Sequence, residues 1–181
     1  MANAIIIGKK SSTTSYDYGK IFSAYLETNN KVSNGHFTST SNWVTNFSTT
    51  VVSDGSLLIT GTATNAADGI YQPRTAITSS HKIYTAIKYY TASATSITFG
   101  PVSNNISISP ALNSWGYAGG SVMENVGNDA DILYFGLIAG ETARAKAYYR
   151  IDMTALGITS YTDAQMLELV KQAQTYWETV N

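Results

Sequence analysis

The sequence predicts an all-β fold: an antiparallel β-sandwich with an N-terminal arm and one C-terminal α-helix. Short segments rich in β-branched and aromatic residues recur along the chain, with turn signals between them. Strand and helix patterns do not alternate, which argues against a doubly wound parallel sheet. Charged residues are 13% of the 181, against about a quarter in typical domains, and Ser, Thr, Asn, Gly and 13 Tyr take their place.

The stretch 145–157 organises the chain, because β-type sequence precedes it and the one strong helix pattern follows it. Its first part alternates as a strand does. One predicted face holds Ala145, Ala147, Tyr149 and Ile151, and the other holds Lys146, Tyr148, Arg150 and Asp152. We expect the first face to meet the core and the second to meet solvent or a ligand.

Other segments predict further strands and turns. Asp54-Gly55 marks a tight turn before the strand 56–60, and residues 81–90 alternate along their length. The nearly continuous apolar run 131–138 predicts a central strand covered on both faces, with 145–152 pairing near it. We interpret 115–120, WGYAGG, as a glycine-rich turn that carries two aromatic residues.

The two ends differ from the middle. Residues 1–31 contain the apolar clusters 5–7 and 21–22 in polar surroundings, and we interpret them as an attachment arm; an extra edge strand of the sandwich is the alternative. Residues 32–157 form the predicted sandwich domain. Residues 158–181 hold the helix, in which Thr162 and Gln165 make a capping box. Met166, Leu169, Val170, Ala173 and Trp177 form its apolar stripe.

Bulk properties exclude several function classes. A net charge of −1 argues against nucleic-acid binding, and the absence of Cys removes disulfides, thiolate metal sites and a cysteine nucleophile. No apolar run is long enough to cross a bilayer, so we expect no membrane insertion. No signal peptide is recognised, so we expect assembly in a host cytoplasm.

The order of several motifs resembles that of a known group of proteins. Asn34-Gly35, Phe37 and Trp43 resemble the opening of jelly-roll carbohydrate-binding modules, and 54–57 resembles their next hairpin. The segment 151–157, IDMTALG, with 162–165 after it, resembles a closing signature of bacteriophage tail and receptor-binding proteins. The resemblance covers about residues 32–177 and implies a jelly-roll sandwich on a virion, with sugar binding as its usual role.

The chain departs from that pattern at a position linked to metal binding. The resemblance implies an acidic residue after the opening Asn-Gly, where it helps to hold a structural calcium, but His36 stands there. Asp152 alone is a poor site, because Ca²⁺ prefers six or more oxygen ligands. We therefore predict no metal and no cofactor.

Sugar binding requires flat aromatic faces with polar groups beside them. For each aromatic candidate, the alternative is a place in the hydrophobic core. The predicted ligand-binding residues are Lys88, Tyr89, Tyr90, Trp115, Tyr117, Tyr148 and Arg150.

Catalysis has little support in the sequence. Glycoside hydrolysis usually needs two facing carboxylates, and Asp131 and Glu141 are the only acidic pair that brackets a strand. His36 and His81 are the only histidines, and they do not show a metal-ligand spacing. We therefore predict that the protein is not an enzyme.

The function predicted from these observations is a non-enzymatic virion surface protein that binds a host cell-surface polysaccharide through an aromatic face. Expected partners are other virion proteins and sister chains in a symmetric homo-oligomer. The alternative is a structural component of the head, baseplate or tail without a sugar site. A third interpretation, an accessory module of a carbohydrate-active enzyme, is less favoured because the sequence starts at Met1 without a signal peptide.

Overall fold

The computed structural model describes residues 24–26, 28–63, 65–73, 77, 79–124 and 130–181. The apolar clusters at 5–7 and 21–22, and with them most of the predicted arm, lie outside the described residues. Ten strands are described: β1 (Val44–Asn46), β2 (Ser48–Ser53), β3 (Ser56–Gly61), β4 (Asn65–Pro73), β5 (Lys82–Thr91), β6 (Ile97–Pro101), β7 (Ile106–Ile108), β8 (Ser114–Met123), β9 (Ala130–Leu137) and β10 (Thr142–Asp152).

The strands form two five-stranded antiparallel sheets, which confirms the predicted β-sandwich. The helix-side sheet has the order β2-β3-β10-β5-β8, and the opposite sheet has the order β1-β4-β9-β6-β7. The tight turn at Asp54-Gly55 joins β2 and β3, and both residues have positive φ, as a type I′ hairpin turn requires. The predicted pairing of 131–138 with 145–152 is wrong, because β9 and β10 lie in different sheets.

A bulge in β10 changes which faces its side chains occupy. The register against β5 shifts between Ala145 and Ala147, so one extra residue, Lys146, enters the strand. Before the bulge, Ala145 contacts the core between the sheets; after it, Tyr148 does so, while Ala147 and Tyr149 contact the helix. The predicted alternation is therefore wrong across this point, and both faces of the strand's second half are buried.

The core between the sheets contains the motif that opens the domain. Phe37 and Trp43 are buried, with their ring centroids 5.3 Å apart, and Trp43 lies 5.4 Å from Tyr148. The Trp43 indole N–H donates to the Asn34 carbonyl at 3.3 Å, which closes the loop that the two aromatic residues flank. Trp43 is thus a core residue.

The segment 115–120 is part of strand β8, so its interpretation as a turn is wrong. Its glycines make room for tyrosines of β5. A Cβ at Gly116 would lie 2.7 Å from the Tyr89 ring, and one at Gly119 would lie 2.3 Å from the Tyr84 hydroxyl. The glycines therefore permit close cross-strand packing on both faces of β8.

The C-terminal helix, Asp163–Val180, covers part of the outer face of the helix-side sheet. Its predicted capping box is present: the Gln165 N–H donates to the Thr162 side chain, and the Gln165 side chain accepts from the Thr162 N–H. Met166, Val170 and Ala173 are fully buried against the sheet. Within the part of the chain that the structure describes, no helix is long and apolar enough to cross a membrane.

The described end of the predicted arm contacts the domain. Leu26 is buried between the helix and the helix-side sheet. The Asn30 side chain donates to the Tyr148 carbonyl at 3.1 Å and accepts from the Arg150 N–H at 3.0 Å. An attachment role, as predicted for 1–31, is therefore best tested with a chain that begins at residue 24, so that these contacts are kept.

Candidate functional site

An aromatic and cationic surface lies on the outer face of the helix-side sheet, beside the end of the helix. We call it the Trp115 patch, and it consists of Lys88, Tyr90, Trp115, Tyr117 and Lys146. The Trp115 side chain is 39% exposed, and its ring centroid lies 5.8 Å from that of Tyr90. Alternation on β8 and β5 brings these residues to one face, since Tyr90 pairs with Trp115 and Lys88 with Tyr117.

Two ammonium groups approach the rings of the patch. Lys88 Nζ lies 5.7 Å from the Trp115 centroid and 5.3 Å from that of Tyr117, and Lys146 Nζ lies 5.0 Å from Trp115. Both distances to Trp115 fall within the range of cation–π attraction. Lys146 lies on this face because Ala143 and Ala145 face the core and the strand alternates up to the bulge.

Glu178, near the end of the helix, fixes Lys88 in place. Both carboxylate oxygens lie close to Lys88 Nζ, at 2.6 and 2.7 Å, and the Gln174 amide donates to the same carboxylate at 3.0 Å. Gln174 in turn accepts from the buried Tyr149 hydroxyl at 2.9 Å. The edge of the patch is therefore connected to the helix-side core.

Burial also affects the pKa of Tyr117, one of the two tyrosines of the patch. It raises the pKa of Tyr117 well above its usual value, and the Glu178 charge raises this pKa further, while a hydrogen bond with the Thr175 side chain acts in the opposite direction. Tyr117 is therefore a neutral hydroxyl at ordinary pH, suited to hydrogen bonding.

The pKa of Glu178 predicts how pH affects the helix end. Burial alone would raise this pKa, but hydrogen bonds from Lys88 and Gln174 and the charges of Lys88 and Lys146 outweigh it, so the pKa lies below the ordinary value of 4.5. A carboxylate with a lowered pKa contributes stability above its ordinary pKa, and this contribution is lost as pH falls through the folded value. We expect the melting-temperature difference between the parent and Glu178→Gln to shrink between about pH 6 and about pH 3. A difference that stays constant over that range would contradict this.

Three of the seven predicted ligand residues do not belong to the patch. Tyr89, Tyr148 and Arg150 are 4%, 0% and 0% exposed, so the prediction that they meet a ligand does not fit the structure. Tyr89 and Tyr148 point into the core between the sheets. The other four, Lys88, Tyr90, Trp115 and Tyr117, are brought together in the patch.

Arg150 serves an internal ion-pair network. Its guanidinium lies 2.7 Å from a Glu124 oxygen and 3.3 Å from an Asp131 oxygen, and all three side chains are almost fully buried. Asp152, at the end of the same strand, lies 2.9 Å from His81 Nδ1 and accepts the Ala155 N–H at 2.9 Å. Glu124 and Asp131 are therefore engaged in buried ion pairs with Arg150. Asp152 contacts His81 and stabilises the turn that follows the strand.

His36 packs against aromatic residues. Its ring stacks on Trp177 of the helix, with centroids 4.1 Å apart and planes within 5°, and its edge meets Tyr149 at 5.6 Å. Among the described residues, no group of three or more His, Asp or Glu side chains could hold a metal ion. The residues thus do not fit the calcium site that the resemblance implies, and the prediction of no metal stays a prediction.

A second aromatic pair was missed in the sequence. Tyr71 of β4 and Tyr134 of β9 are half-buried and alternate with buried neighbours, so they occupy the outer face of the opposite sheet. The register pairs Tyr134 with Gly69 and Tyr71 with Ile132, so the two tyrosines are diagonal neighbours, and burial and nearby Tyr71 both raise the pKa of Tyr134. The apolar run 131–138 concealed this pair, because it predicts a strand covered on both faces.

Comparison with known proteins places the fold. No family model and no curated protein sequence matches the chain. Solved structures do match, and they define a β-sandwich of the type found in carbohydrate-binding modules. CBM1 of BiXyn10A has 15% identity and a TM-score of 0.52 over 67% of this chain and 97% of its own length. A CBM4 structure has 12% identity and a TM-score of 0.50 over 66% and 98%.

A bacteriophage protein shares the same fold. The enzymatically active domain of tailspike protein 4 from bacteriophage CBA120 matches with 18% identity and a TM-score of 0.51. The match covers 67% of this chain but only 21% of the tailspike chain. At 18% identity the similarity concerns the fold alone. The tailspike domain and the carbohydrate-binding modules both match this chain in fold.

Proposed function

We propose that this protein binds a cell-surface glycan, without catalysis, through the Trp115 patch. The observation that carries the proposal is the exposed Trp115 indole beside Tyr90, with Lys88, Lys146 and Tyr117 around it. An indole face suits the apolar side of a sugar ring, and the polar neighbours suit its hydroxyls. The fold shared with carbohydrate-binding modules supports this assignment.

The absence of catalysis is part of the proposal. Glu124 and Asp131 are 1% exposed at their side chains and pair with Arg150, so a substrate has no access to them. Glu178, the carboxylate beside the patch, is engaged by Lys88 and Gln174. Among the described residues, no second carboxylate faces the patch as a glycosidase normally requires.

We further propose that the protein is displayed on a phage virion, as a symmetric homo-oligomer attached to other virion proteins. The closing motif at 151–157 and the fold shared with the phage tailspike domain support this placement. The alternative is a structural virion component that keeps the sandwich without using the patch.

The test is glycan-array and cell-wall binding of the parent, Trp115→Ala and Tyr134→Ala. We expect the parent to bind a subset of glycans, Trp115→Ala to lose at least about tenfold in affinity because it removes the stacking surface, and Tyr134→Ala to bind like the parent. Tyr134 is the matched control because it is an aromatic residue on the opposite sheet. Melting temperatures should stay close to that of the parent.

Two results would contradict the proposal. Binding that survives Trp115→Ala but is lost in Tyr134→Ala would place the site on the opposite sheet. A parent chain that binds no glycan and no cell wall, yet is incorporated into particles, would favour the structural alternative.

A further inference from the structure

The Trp115 patch carries an unbalanced positive charge. In the part of the chain that the structure describes, two ammonium groups, of Lys88 and Lys146, face one carboxylate, that of Glu178. The chain as a whole has a net charge of −1, so this local excess is not a property of a basic protein. A local excess of positive charge attracts anions.

The two lysines differ in how fully Glu178 engages them. Lys88 Nζ lies 2.6 Å from a carboxylate oxygen, and its side chain is 11% exposed. Lys146 Nζ lies 3.9 Å from the nearest oxygen of the same group, and its side chain is 25% exposed. Glu178 therefore neutralises Lys88, and Lys146 retains a charge that a ligand can reach.

The neighbouring cation on the same strand is occupied elsewhere. Arg144 donates to the Ser53 carbonyl at 3.1 Å and the Ser56 hydroxyl at 3.0 Å, and lies 3.5 Å from Asp54. Lys146 is thus the accessible charge of the patch, and it lies 5.0 Å from the Trp115 centroid. Lys146 faces outward because Ala143 and Ala145 face the core, and its ammonium group therefore lies beside the indole.

We infer that the ligand is an anionic glycan whose sugar ring stacks on Trp115 while its acidic group pairs with Lys146. This inference rests on the proposed function of the patch. The lysine ammonium group is a compact positive charge that can bind either a carboxylate or a phosphodiester. The acidic group of the glycan is therefore a uronic-acid carboxylate or a phosphate of the polymer backbone.

The experiment compares ligands that differ in charge. The probes are polygalacturonate, its fully methyl-esterified form, and a ribitol phosphate polymer. We expect the parent to bind a charged probe about tenfold more tightly than the esterified polymer, and added salt to weaken only the charged interaction. Preference for polygalacturonate or for the phosphate polymer identifies the acidic group.

Matched variants locate the charge. Lys146→Gln should bring affinity for the charged probe down to that for the esterified polymer and remove its salt dependence. Lys171→Gln, which removes a lysine of the helix outside the patch, should bind as the parent does.

Equal affinity for charged and esterified polymers, equal weakening of both by Lys146→Gln, or binding of neutral array glycans alone would overturn the inference and leave the proposed function standing. Binding to no glycan would overturn the proposed function itself.

Discussion

Replacing Arg150 by Met should destabilise the protein by about 3–5 kcal/mol, because it leaves buried carboxylates without their cation. Glu124 and Asp131 lie 2.7 and 3.3 Å from the guanidinium, away from water, and neither can recover solvation in the folded state. For a chain of this length the loss corresponds to a melting temperature lower by about 6–20 °C, measured by calorimetry.

Arg144→Met is the matched control for this prediction. Arg144 is on the same strand, but its partner Asp54 is 81% exposed and lies 3.5 Å away, so the change should cost about 1–2 kcal/mol, mostly from the lost hydrogen bonds to Ser53 and Ser56. Adding Glu124→Gln and Asp131→Asn to Arg150→Met should recover part of the loss. Equal losses for the two single arginine variants would show that burial of the network does not matter.

Replacing Tyr148 by Ala should cost about 3–5 kcal/mol, because it empties the centre of the core between the sheets. The Tyr148 ring packs on Trp43, and its hydroxyl accepts the Gly100 N–H at 2.9 Å and donates to the Ile132 carbonyl at 3.3 Å. Denaturant unfolding monitored by circular dichroism would measure the loss.

Tyr148→Phe separates the two parts of this effect. It keeps the ring and removes the hydroxyl, so we expect a cost of about 1–3 kcal/mol, which reflects the Gly100 N–H left buried without its acceptor. Because Tyr148 is a core residue, Tyr148→Phe should bind glycan as tightly as the parent. Weaker glycan binding by a fully folded Tyr148→Phe variant would contradict this and show that Tyr148 contributes to the ligand site.

Much of the fold could be predicted from local patterns. The hairpin at Asp54-Gly55, the alternating strand that became β5 and the capping box at Thr162 depend on residues close in sequence, so turn chemistry and periodicity reveal them. The predictions that are wrong concern features that depend on long-range packing. The glycines of β8 imitate a turn, and only the tyrosines of the neighbouring strand explain them.

Local patterns likewise predict only part of the candidate site. Lys88, Tyr90, Trp115 and Tyr117 come together because paired strands place them on one face. Regular alternation through position 146 predicts that Tyr148 and Arg150 face a ligand, whereas the bulge turns both toward the inside of the sandwich. Lys146 itself lies on the outer face, as the alternation predicts, because the reversal begins only at Ala147. A bulge leaves no mark in the period-two pattern, so the sequence does not reveal this reversal.

The most direct test of the Trp115 patch is an NMR titration that follows the three indole N–H signals. With a glycan identified on the array, we expect the Trp115 signal to shift saturably, together with the backbone amides of Tyr90 and Lys146. The Trp43 and Trp177 signals should stay in place, because Trp43 is in the core and Trp177 stacks on His36. Saturable shifts confined to β4 and β9 around Tyr134, with an unmoved Trp115 signal, would contradict the account.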